Sequence, residues 1–209
     1  MSKSDHFSKK TDIKSIKFCQ QIHSDTVLDA ATITPSDWCQ ENQNIEQWLR
    51  DALISSMPDE TLGIFTADCI PIFVLDTKIP AIGIAHAGWR GTLDLIATKT
   101  LLQMERIFHT LKKNCLIHLG ASIKKCCYQV SSDLKLKFEA KFGRSVQYGD
   151  SLCLQTANKI QLVDFGVSPK AIAISPYCTA CSTDKFFSYR AASGQTGRML
   201  SFIQLTRNQ

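Results

Sequence analysis

Cysteine and histidine stand in the chain where one metal ion, or one nucleophile and its base, would need them. The stretch TADCIPIFVLDTKIPAIGIAHAGWRGT, residues 66–92, carries Cys69 near its start and His86 near its end. Two apolar runs flank Thr77 and Lys78, so the economical reading is an antiparallel hairpin. A register symmetric about that turn sets Asp76 opposite Ile79, Val74 opposite Ala81 and Cys69 opposite His86. Directly opposed Cβ atoms are about 4.5–5.5 Å apart. At that separation a thiolate and an imidazole can share a metal through bonds of roughly 2.0–2.3 Å. Pro71 interrupts the first run, cannot donate to the ladder and would shift the register if it made a bulge. The same pair reads equally as a Cys69 nucleophile activated by His86 with no metal, the chemistry of a cysteine hydrolase or deamidase. His23 is a further candidate ligand, and Asp25 is placed to orient it. Asp68 adjoins Cys69 on a predicted strand, which would turn its side chain to the opposite face.

After His86 the chain runs Ala87-Gly88-Trp89-Arg90-Gly91-Thr92 into an amphipathic segment. Two glycines permit a tight turn, Thr92 is the expected N-cap, and free N–H groups at a helix start attract anions. Gly88, Arg90, Gly91 and Thr92 are therefore the candidate phosphate cradle, with Arg190 and Arg198 as further cationic candidates. Cys178 and Cys181 form a C-x-x-C that would join the adjacent Cys126 and Cys127 in a structural-metal reading.

Hydrophobic spacing supplies the elements that position these groups. Residues 15–29 read as a pair of short strands carrying His23, and residues 40–53 as a helix with Ile45, Trp48, Leu49 and Ala52 on one stripe. Residues 62–76 and 81–87 are the apolar runs of the hairpin. Residues 93–108 have clear amphipathic spacing. Further helices are expected over 133–142 and over 157–165, the latter ended by Gly166 at C′. Strands are expected over 115–119, 171–175 and 202–205. Hairpins mixed with isolated helices favour an α+β fold, a mixed sheet flanked by helices, over regular βαβ alternation.

The 209 residues, 44% hydrophobic and 21% charged, show no repeat, low-complexity stretch or linker, so a single domain over 1–209 is expected. No apolar run reaches the length of a membrane span, and residues 1–10 lack the apolar core of a secretory signal, which points to the cytoplasm. Nine cysteines, an odd number without a signal, suggest reduced thiols. The net charge of +5 is spread over scattered lysines and comes with no nucleic-acid recognition motif.

Taken together, the segments resemble the YfiH-type family, labelled first a multicopper polyphenol oxidoreductase (laccase) and later a purine nucleoside phosphorylase. The resemblance rests on Gln21-Ile22-His23, Thr66-Ala67-Asp68-Cys69-Ile70-Pro71 and His86-Ala87-Gly88-Trp89-Arg90-Gly91. It continues through Cys126-Cys127-Tyr128-Gln129-Val130, Cys178-Thr179-Ala180-Cys181, Phe187-Ser188-Tyr189-Arg190 and Thr196-Gly197-Arg198. It implies a zinc ion on His23, Cys69 and His86, and a fold related to that of toxin cysteine deamidases. It also implies phosphorolysis of adenosine, inosine, guanosine and methylthioadenosine, with adenosine deamination as a second activity. Three protein ligands would leave a fourth position for a water that supplies hydroxide to purine C6. No proton shuttle is singled out. The sequence departs from the family at Ser24, at Ala121-Ser122 and at Ala191, and it has a shortened segment ahead of the first motif, which leaves a non-catalytic family remnant as an alternative. Copper would also bind such donors, but five histidines with no His-X-His pair suit multicopper oxidation poorly.

Overall fold

Period-two alternation of apolar side chains explains the centre of the molecule. A computed structural model describes residues 16–32 and 49–206. In chain order the strands are β1 (Ile16–Lys17), β2 (Val27–Asp29), β3 (Ala52–Ser55), β4 (Thr61–Thr66), β5 (Ile70–Asp76) and β6 (Ala81–Ala87). Helices α1 (Trp89–Leu93) and α2 (Ile96–Phe108) follow, then β7 (Cys115–Leu119) and α3 (Ser132–Phe142). The chain ends with β8 (Gln147–Tyr148), β9 (Ser151–Leu152), α4 (Leu154–Asp164), β10 (Ile172–Ile174) and β11 (Met199–Gln204). Six strands form a mixed sheet in the order β10-β7-β5-β6-β3-β2, with β10–β7 and β3–β2 parallel and the pairs between them antiparallel. A three-stranded sheet, β1-β4-β11, packs on one side, and the helices cover the other. This is the expected mixed sheet flanked by helices.

Adjacent residues of each central strand feed different cores. Ile70, Ile72 and Val74 of β5 and Ala52 and Ile54 of β3 face the helices. Leu53, Ile82 and Ile84 face the second sheet, where they meet Leu62 and Ile64 of β4. On the helix side β6 offers only Ala81, Gly83, Ala85 and Ala87. A Cβ on Gly83 would lie 3.0 Å from the Met104 sulfur and 3.1 Å from Thr100, so the small side chains let α2 lie close on the sheet. His86 falls on the opposite face, in phase with Ile82 and Ile84, at the end of β6.

Several expectations are corrected. The β5–β6 register pairs Asp76 with Ala81 and Pro71 with His86, two residues away from the symmetric hairpin. The cause is a longer connection, in which Asp76 Oδ1 accepts the amides of Lys78 and Ile79 at 2.8 and 3.2 Å and holds residues 77–80 outside the ladder. Pro71 makes no bulge there, because the β5–β7 ladder begins only at Ile72. The run 62–76 is two strands in different sheets, broken at residues 67–69. The expected 93–108 helix is interrupted at Leu95, whose φ of +64° ends α1 and starts α2. Residues 40–48 of the expected 40–53 helix lie outside the described residues, and Ala52 and Leu53 belong to a buried strand. The helices at 133–142 and 157–165 are present, the first capped by the Ser131 side chain and the second beginning earlier, at Leu154. Gly166, at φ +106°, lies directly after the Phe165 cap, as expected of C′. No helix among the described residues is long and apolar enough to cross a membrane.

Candidate metal centre

Where β3 and β6 run past their last ladder pair, Asp51 and His86 come opposite each other. The register pairs Ala52 with Ala85, and one step further the His86 amide donates to the Asp51 carbonyl at 2.7 Å. Their side chains share a face, and His86 Nδ1 lies 2.8 Å from Asp51 Oδ1. That contact leaves Nε2 to face the other donors of the site. The same carboxylate accepts the amides of Ile22, His23 and Ser24 at 3.1, 3.0 and 2.6 Å, and the Ser24 hydroxyl at 2.8 Å. Three successive N–H groups can converge on one carboxylate only if the chain curls, and His23 sits at φ +62°. The bend swings the His23 ring to His86, with centroids 4.8 Å apart in an edge-on arrangement. Asp51 thus orients one histidine directly and the other through its backbone.

Cys69 reaches the same point by a second bend. Asp68 has φ +87°, and its carboxylate accepts the Thr179 hydroxyl at 2.6 Å and the Arg190 amide at 2.7 Å. Asp68 is therefore not on a strand facing away, as expected, but is a buried anchor on the site wall. In the observed register Cys69 falls beside Gly88 rather than His86. A Cβ on Gly88 would lie 3.1 Å from the Cys69 sulfur and 3.2 Å from the His23 ring, so the absent side chain makes room for both. Donor atoms of His23, Cys69 and His86 all lie within 4.8 Å of one another. One thiolate and two imidazoles are the donor chemistry of a three-ligand zinc site that keeps an open position, and copper accepts the same set.

The cluster opens into a cavity of about 550 Å³. Phe65, Trp89, Tyr128 and Tyr189 give it aromatic walls, and Arg90, Arg190 and Arg198 give it positive charge. Arg90 rests on the Trp89 ring at 4.3 Å. Arg190 is committed to the carbonyls of Cys127 and Gln129, each at 3.0 Å, and Arg198 to those of Thr196 and Gly197. Gly88 and Gly91 are buried in the turn, Gly91 beneath the Ser24 and His86 carbonyls. Thr92 does not cap the helix: it lies inside α1, fully buried, where its hydroxyl accepts from Asn158 at 2.9 Å, and Gly88 takes the N-cap position. Asp25 does not orient His23 but forms an ion pair with Lys99. Asp51, which holds the place expected of Asp25, was hidden by the helical reading of residues 40–53. The signal that would have revealed it is an acid entering a wholly apolar run too short for a helix.

Charges within the cluster are coupled. Burial pushes the Asp51 carboxyl up, but the bonds from His86 and Ser24 prevail and hold it below the usual carboxylate range. Burial likewise disfavours a charged His86, yet Asp51 and Cys69 raise it to about 9. Burial raises the Cys69 thiol, and His23 and His86 bring it down to about 7. In metal-free protein the pair is therefore thiolate and imidazolium between about pH 7 and 9. Because the thiolate is the reactive form, alkylation of Cys69 by iodoacetamide, followed by peptide mass spectrometry after chelation, should rise with pH through about 7 and then level off. A rate still climbing at pH 9, as for an ordinary thiol, would contradict this coupling.

Residues 3–206 match the family described as multi-copper polyphenol oxidoreductase laccase. A purine nucleoside phosphorylase of Clostridium acetobutylicum is 30% identical over 199 residues, covering 91% of this chain and 77% of that protein. One from Bacteroides thetaiotaomicron is 37% identical over 164 residues, covering 74% of this chain and 60% of its own length. Among solved structures, YfiH of Bacillus licheniformis superposes with a TM-score of 0.83 at 29% identity, over 98% of this chain and 79% of that one. Sequence and fold agree, and the chain belongs to the multi-copper polyphenol oxidoreductase laccase family, the family of YfiH.

Proposed function

We propose that the protein is a zinc-dependent purine nucleoside phosphorylase that takes adenosine, inosine, guanosine or methylthioadenosine with phosphate, and that also deaminates adenosine. The observation that carries the reading is the opening of the His23–Cys69–His86 cluster into a cavity both aromatic and basic. Its volume lies within the roughly 300–1,000 Å³ of small-molecule sites. Flat aromatic walls suit a purine, and arginines suit phosphate. The relatives' name, purine nucleoside phosphorylase, supports a purine nucleoside and phosphate as the substrate classes. When bound to these residues, zinc supplies a Lewis acid with an open coordination position. Asp51 holds the His86 ring so that Nε2 points at the cluster, and Asp68 fixes the bend that presents Cys69. Arg90 is the phosphate contact, since Arg190 and Arg198 are engaged by backbone carbonyls. Laccase chemistry is less well supported, because the other donor cluster among the described residues is all cysteine, without the histidines that further copper centres use.

The order Cys69–His86–Asp51 specifically favours a second reading, a cysteine hydrolase in which His86 activates the thiol and Asp51 orients the ring. Chelation separates the two. Inosine phosphorolysis should be abolished by thorough metal removal and restored by zinc, and Cys69→Ala should lose both activity and bound metal. Turnover that survives chelation would establish the nucleophile instead.

Phosphate binding is tested at Arg90. Loss of a charge-assisted contact costs roughly 1.5–3 kcal/mol, so Arg90→Ala should raise the phosphate KM about tenfold to hundredfold. Zinc content and adenosine deamination should be much less affected, and Arg90→Lys should recover only part of the loss. Unchanged phosphate dependence would move the anion site elsewhere, with Arg190 the next residue to substitute.

A further inference from the structure

We infer that Cys126, Cys127, Cys178 and Cys181 form a second, structural zinc site that braces the wall of the cavity. Their sulfurs lie within 4.8 Å of one another, although the two pairs are more than fifty positions apart in sequence. Sγ of Cys181 is 3.6 Å from that of Cys126 and 3.3 Å from that of Cys127. Zinc–sulfur bonds of about 2.3 Å place the sulfurs of a tetrahedron about 3.8 Å apart, so four thiols at these distances need little movement to share one ion. A disulfide would account for only two of the four.

Local structure gathers the four sulfurs at this point. A turn returns the Cys127 amide to the Lys124 carbonyl at 2.9 Å, and a second turn returns the Ser182 amide to the Cys178 carbonyl at 3.1 Å. The two turns are joined by the Ser122–Cys178 bridge, where the Thr179 amide donates to the Ser122 carbonyl. The Lys124 amide donates to the buried Cys178 sulfur at 3.4 Å, the outer contact that steadies a ligating thiolate. Cys126 and Cys181 are exposed, which gives the ion an entry path. Four protein sulfurs fill a tetrahedral shell, so the site has a holding role rather than a catalytic one. What it holds is specific. Thr179 anchors Asp68 beside Cys69, Arg190 grips the Cys127 and Gln129 carbonyls, and Tyr128 and Tyr189 line the cavity. Zinc on the four cysteines would lock the 126–129 turn to the 178–190 segment, and with it one wall of the first site.

Protein loaded with ¹¹³Cd(II) in place of zinc reports the two sites separately, because all-sulfur and mixed nitrogen–sulfur coordination give distinct resonances. The expected spectrum has one all-sulfur resonance that persists in Cys69→Ala. In zinc-loaded protein, Cys178→Ser/Cys181→Ser should lower the metal content by about one ion per chain and remove the all-sulfur shell of about 2.3 Å from X-ray absorption. Cys69→Ala should leave that shell intact, so the two metal assignments fail independently. Wild-type protein without an all-sulfur cadmium resonance, or with a Cys127–Cys181 or Cys126–Cys181 disulfide that excludes metal after purification under reducing conditions, would overturn the inference even if the serine variant did not fold.

Discussion

The fully buried Asp51 carboxylate accepts five hydrogen bonds from two segments, the Ile22–Ser24 bend and the end of β6. An ionised carboxylate loses several kcal/mol of hydration on burial, and these donors replace the lost water. The bonds also fix two geometries together. Those from the backbone force the curl that aims His23, and the one from His86 fixes which ring nitrogen faces Cys69. Neither segment could take this form alone, since the bend needs an acceptor and the acceptor needs donors. The placement of the two histidines follows from this one interaction, and that of Cys69 from the Asp68 bend.

The rest of the fold brings that carboxylate to its donors. The β3–β6 ladder fixes Asp51 opposite His86, and Leu53, Ile82 and Ile84 hold the ladder against the second sheet. On the other face the small residues of β6 admit α2, and the 88–92 turn between them packs on Cys69 and His23 at Gly88. Gly88 completes the arrangement, because a side chain there would fill the space of Cys69 and His23. Thr92, bonded to Asn158 of α4, closes the turn from beneath. Arg90 is the exposed residue of this turn, and with Trp89 it lines the cavity.

Much of this was legible in the sequence, and the errors have physical causes. The symmetric register that opposes Cys69 and His86 is wrong by two residues, yet the two side chains meet, because the bend at Asp68 carries Cys69 to the cluster. The slip arose from the Asp76 carboxylate, which stabilises a longer connection than the Thr77–Lys78 turn suggested. His23 could be joined to the pair only through the resemblance to the family, since its position depends on a curl around a residue 28 positions later. Asp51 itself was missed because helical periodicity was extended across a strand. Asp25, two positions from His23 in sequence, meets Lys99 of α2 instead. Long-range polar contacts of this kind leave no periodic trace.

The tautomer of His86 in the zinc-loaded protein is the most direct measure of whether Asp51 organises the site. Long-range ¹H–¹⁵N correlation of the imidazole rings distinguishes the states. A proton on Nδ1, protected from exchange and donated to Asp51, with Nε2 shifted by the metal, is the predicted result, and Asp51→Asn should abolish that protection while weakening zinc binding by about 10–100-fold. A proton on Nε2 with the metal on Nδ1, or zinc affinity unchanged by Asp51→Asn, would contradict the account.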